Sequence, residues 1–70
     1  MNIDGNEVLW MSEEGNIAIA YSQFDDDKKY RVYRKVRYRE ITEWDFRIPF
    51  ETKRKAMKYA KELADTVMCY

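Results

Sequence analysis

The chain has 70 residues, 46% hydrophobic and 16% aromatic, and its 13 bases balance its 13 acids. A chain this short buries only about 60% of the surface it exposes when unfolded, so residues 1–70 are expected to form one domain with one core and no large catalytic cleft. With no histidine and one cysteine, it cannot use an imidazole for acid–base work, form an internal disulfide or build a cysteine-based zinc site.

The first ten residues, MNIDGNEVLW, lack the basic start and apolar stretch of a signal peptide. No apolar run later in the chain reaches the length of a membrane span, so a cytoplasmic protein with no membrane partner is expected. Charge is sorted along the sequence. Residues 1–27 carry Asp4, Glu7, Glu13, Glu14, Asp25, Asp26 and Asp27 and no base, whereas residues 28–70 carry all thirteen bases and six acids, a surplus of seven.

Four segments alternate with period two, the pattern of half-buried strands. The first two, Glu7–Ser12 and Ile17–Phe24, flank Glu13-Glu14-Gly15-Asn16, which suits a tight hairpin turn. A Glu14-Gly15 tip sets Trp10 across from Ile19 and Val8 across from Tyr21, and turns Leu9 and Met11 toward Ala18 and Ala20. An Asp26-Asp27 tip to the second hairpin sets Tyr21 across from Val32 and Ile17 across from Val36. The aspartate run lacks the spaced ligands and glycine of a calcium loop and reads as a solvated turn.

The third segment is YRVYRKVRYR, residues 30–39, and the fourth is Thr42–Phe50. An Arg39-Glu40-Ile41 loop places Trp44 across from Val36, Ile48 across from Val32 and Phe50 across from Tyr30. Trp10, Ile19, Val32, Ile48 and Phe50 then share one apolar face. The outward residues of the third strand are Arg31, Tyr33, Lys35 and Arg37, with Arg37 facing Glu43 and Lys35 facing Asp45 as opposite-charge neighbours. Arg34 falls on the apolar side, across from Phe46. Pro49 cannot donate to a ladder and suits an edge strand.

Thr52 is a candidate N-cap for a helix whose stripe is Ala56, Met57, Ala60, Leu63, Ala64 and Val67. The expected fold is α+β: a four-stranded antiparallel meander with one C-terminal helix on one face and the other face open. That helix is charged against its dipole, with Lys53, Arg54 and Lys55 in its first turn, and these three residues are a candidate anion or nucleic-acid site.

FETKRKAMKYAKELAD, following WDFRIPF, resembles the final strand and helix of AP2-like and integrase arm-binding modules, a likeness that implies DNA contact through an open sheet face. In size and lack of catalytic residues the chain also resembles phage accessory proteins such as anti-CRISPR inhibitors, which implies action by binding a protein. No GxGxxG, Walker A segment or nucleophile elbow is present. The sequence therefore reads as a non-enzymatic module without cofactor or metal.

Its first expected partner is a protein, met by Leu9, Met11 and Tyr33 with Arg31, Arg37 and Arg39 around them. The alternative is a nucleic acid held by the basic third strand and the helix start. The acidic and basic halves also suit pairing between two copies. Cys69, with no base to activate it, reads as a free thiol.

Overall fold

The computed structural model describes residues 2–23 and 27–67. Phe24, Asp25, Asp26 and Cys69, and with them part of the expected second turn, lie outside the described residues. The order of elements is β1 (Asn2–Ile3), β2 (Asn6–Met11), β3 (Ile17–Tyr21), β4 (Tyr30–Tyr38), β5 (Ile41–Phe50) and α1 (Lys53–Val67). The strands form one antiparallel sheet in the order β1-β2-β3-β4-β5, a meander with one helix after it. It has five strands, not the four expected. The extra one is β1, which turns into β2 through Asp4 and Gly5 at φ 53° and 80°. Positive φ at both central residues is what a two-residue Asp-Gly hairpin requires.

Alpha-helix α1 covers one face. Thr52 caps it, its Oγ1 accepting from the Lys55 N–H at 3.2 Å. Ala56, Ala60 and Ala64, spaced by four, are the side chains it buries. These small residues let the helix lie close on Ile17, Ile19 and Val32, all fully buried, while Trp10, Tyr30, Phe50, Met57 and Leu63 close the margins. The stripe expected from the sequence is the stripe observed, as far as its side chains are described.

The opposite face is not open. It holds a second buried cluster of Ile3, Ala18, Ala20 and Tyr33, against which Val8, Met11 and Trp44 pack. Tyr33 is 0% exposed, and its buried hydroxyl accepts from Asn6 Nδ2 at 3.3 Å, the partner a buried phenol needs. Asn6 follows directly on the Asp4-Gly5 turn, so the unexpected first hairpin supplies both the cover and the hydrogen bond.

Two register shifts build this second core. Trp10 pairs with Ile19 as expected, but an irregularity between Val8 and Trp10 sets Val8 across from Ala20 and leaves Leu9 as the extra residue. A bulge of this kind turns the strand's side chains beyond it to the other face. In β5 the pairs Val32–Ile48 and Tyr30–Phe50 stand as expected, yet Tyr33 pairs with Phe46, Lys35 with Trp44 and Val36 with Glu43. Arg47 is the extra residue, and the tip is two residues, Arg39 and Glu40, not three, with Arg39 at φ 57°.

The β3–β4 register also differs, by two residues: Tyr21 pairs with Tyr30, Ile19 with Val32 and Ile17 with Arg34. The ladder runs on to a Ser22 N–H to Lys29 carbonyl bond of 2.7 Å. A two-residue shift preserves faces, which is why Ile17, Ile19 and Val32 still share the helix side as expected.

Buried Tyr33 gives a direct check on the second core. Tyr33→Ala is expected to cost about 3–5 kcal/mol of unfolding free energy, the range for removing a buried aromatic ring. Urea denaturation should place this loss beside that of Ile19→Ala. A cost near that of an ordinary surface substitution would mean that the face is open after all.

Candidate functional site

Strands β4 and β5 have nine and ten residues, against five in β3. Strand β3 pairs with β4 only over Tyr30–Arg34, and one further bond, from the Lys35 N–H to the Asn16 carbonyl at 2.7 Å, ends that contact. Beyond it, among the described residues, the two strands pair only with each other in the ladder. They form a two-stranded arm closed by Arg39 and Glu40, in a molecule of 35 × 23 × 17 Å.

The register decides which side chains share a face of this arm. On the face away from α1, Tyr33 lies across from Phe46, Lys35 from Trp44 and Arg37 from Thr42; on the helix side, Arg34 lies across from Asp45 and Val36 from Glu43. The expected Arg37–Glu43 and Lys35–Asp45 pairs do not form, because the Arg47 bulge sends both acids to the other face. Asp45 instead pairs with Arg47 at 3.5 Å. Arg34 does not face Phe46, as expected, but Asp45.

Bases and aromatic rings remain together on the face away from the helix. Lys35 Nζ sits 5.4 Å from the centre of the Trp44 ring, and the Arg31 guanidinium 4.9 Å from that of Phe46, both within cation–π range. Phe46 stacks in turn on Tyr33 at 5.7 Å and stays 42% exposed. Arg37 and Thr42 are exposed next to the tip. Among the described residues no acid lies on this face of the arm; Glu40 is at the tip and Glu43 on the far side.

The other expected site residues divide. Leu9 is exposed at its bulge and Met11 is half-buried against the second core, but Tyr33 lies beneath the surface and offers no ring to a partner. Arg39 is exposed at the tip, apart from Leu9 and Met11 on β2. Lys53, Arg54 and Lys55 are all exposed, yet consecutive helical residues point about 100° apart, so the three do not converge on one anion. What sequence reasoning misses is the pairing of Trp44 and Phe46 with the bases, which depends on a bulge at Arg47 that no residue type marks.

Elsewhere, a cleft of about 290 Å³ lies between the β2–β3 turn and the end of α1, lined by Trp10, Glu13, Glu14, Lys61 and Asp65 among others. Among the described residues no cluster of three acids or cysteines is placed to hold a metal, and no helix is long and apolar enough to cross a membrane. Compared with protein families, curated proteins and solved structures, the chain matches none. The likeness to AP2-like and integrase arm-binding modules therefore rests on the last strand and helix alone.

The register can be tested by double-mutant cycles on urea stability. Lys35→Ala with Trp44→Ala should show a coupling of about 0.5–1 kcal/mol, the value of an exposed cation–π contact. Arg37→Ala with Glu43→Ala should show coupling near zero. The reverse result would restore the continuous register and its salt bridges.

Proposed function

We propose that the protein is a non-enzymatic binding module of the cytoplasm whose contact surface is the basic face of the β4–β5 arm and whose partner is a nucleic acid. The observation that carries this reading is the placement of Lys35 and Arg37 across from Trp44 and Thr42, not from Asp45 and Glu43. Facing acids, the two bases would be neutralised in place; facing a ring and a hydroxyl, they keep their charge for phosphate. The chain is neutral with a sequence pI near 6.2, but affinity for a polyanion depends on the field of the surface it meets, not on the sum over the chain.

A protein partner met by Leu9, Met11 and Tyr33 has less support, since Tyr33 is buried. One observation favours protein contact elsewhere: on the helix side of the sheet Val36 and Ile48 are exposed, and Ile41 beside the tip is 59% exposed. A module without catalytic groups acts by occupying what it binds, as inhibitors and regulators of the phage accessory type do, and that role fits either partner.

Fluorescence anisotropy with mixed-sequence DNA and RNA, titrated in salt, tests the proposal. Lys35→Glu and Arg37→Glu should each weaken binding by about tenfold or more, and the slope of log K against log salt should fall by about one for each phosphate no longer neutralised. Leu9→Glu should bind as the parent does. Absence of binding at low salt, or equal weakening in all three variants, would overturn the reading.

A further inference from the structure

Resting on the nucleic-acid reading, we infer that the partner is a DNA duplex and that the β4–β5 arm enters its major groove with the Lys35–Arg37 face toward the bases. The first argument is shape. Past the last contact with β3 the arm is a two-stranded ribbon, residues 36–43, that pairs with no other strand among the described residues, and two strands about 4.8 Å apart fit a groove about 12 Å wide, which admits a two-stranded ribbon. Its three residues per strand, at about 3.4 Å each, run roughly 10 Å along the groove, the rise of about three base pairs.

The second argument is the chemistry of the two faces. Arg37 and Thr42 form the cross-strand pair nearest the tip on the basic face with side chains exposed. Arginine donates to guanine O6 and N7, and threonine bonds base edges or packs on the thymine methyl. Lys35, on the same face one pair nearer the body, would then reach a flanking phosphate. Glu43 and Asp45 lie on the opposite face and would point out of the groove. Within the ribbon Arg37 lies on one side and Glu43 on the other, which suits a ligand that contacts one side only.

The aromatic residues argue against a single strand. Proteins that hold single strands stack bases on exposed rings. Here Tyr33 is fully buried, Trp44 is half-buried with the Lys35 ammonium over its ring, and Phe46 carries the Arg31 guanidinium. Stacking a base on either ring would first displace its cation. Duplex RNA is disfavoured for another reason, its major groove being too deep and narrow for side chains to read.

The test compares one mixed sequence as duplex DNA, as each single strand and as duplex RNA, by anisotropy at fixed salt. It is repeated on duplex DNA methylated at guanine N7, a major-groove atom. Duplex DNA should bind about tenfold or more tighter than the other forms, and N7 methylation should weaken it by a factor in the range of one mismatched base pair, about 5- to 150-fold. Arg37→Ala, an exposed substitution whose urea midpoint should equal the parent's, should remove that sensitivity. Equal or tighter binding of a single strand or duplex RNA, or indifference to N7 methylation, overturns this inference and leaves the proposed function standing. Failure of every form to bind overturns both.

Discussion

One extra residue in β5 decides what the protein offers to its surroundings. Near the helix, Val32–Ile48 and Tyr30–Phe50 pair because their side chains serve the helix side of the sheet. At the far end the strands close through two residues, the commonest hairpin length. These two local optima are out of step by one residue, and Arg47 absorbs the difference. Because side chains alternate with period two, everything between Arg47 and the tip changes face. Trp44 and Phe46 leave a region that α1 does not cover and pack on or beside Tyr33, while Glu43 and Asp45 go the other way.

The bulge at Leu9 does the same for β2. Trp10 stays with the helix, but Val8 is turned to Ala20 and joins Ile3, Tyr33 and Met11. Two bulges, in the strands flanking β3 and β4, thus give a single sheet two cores. Both are built on small residues where elements must come close: Ala56, Ala60 and Ala64 beneath the helix, Ala18 and Ala20 beneath the second cluster. A second core matters in a chain of this length, since burial of one sheet face by one helix leaves little margin over the conformational entropy of folding. The bulge and Pro49 also blunt the outer edge of β5, which would otherwise invite pairing with another chain.

The helix, its Thr52 cap, its alanine stripe and the helix-side core are legible in the sequence, because each depends on spacing within a few residues. The first hairpin carries a signal too, since Asp4-Gly5 is a strong two-residue turn, but the strands on either side are too short to show alternation. The second core is not legible. Strict alternation from Trp44 to Phe50 reads as one uninterrupted strand, and a bulge leaves no residue signature when the extra residue is an arginine. The candidate site inherits that error directly, since one residue of slip converts a salt-bridged strand pair into a basic and aromatic face.

Sorting by face also explains how a neutral chain can present a cationic surface. Glu43 and Asp45 are set apart from Lys35 and Arg37 by the thickness of a sheet with its side chains, about 10 Å. At physiological ionic strength the Debye length is about 8 Å, so charges on the far face are largely screened from a ligand on the near one. A phosphate approaching the arm responds to the bases in front of it, and Glu43 and Asp45 contribute mainly at low salt. Along the sequence β4 carries only bases and β5 carries Glu43, Asp45 and Arg47, and an unbroken register would set the two acids across from Arg37 and Lys35. In the folded arm a single bulged residue moves Glu43 and Asp45 off that face, and Lys35 and Arg37 keep their charge there.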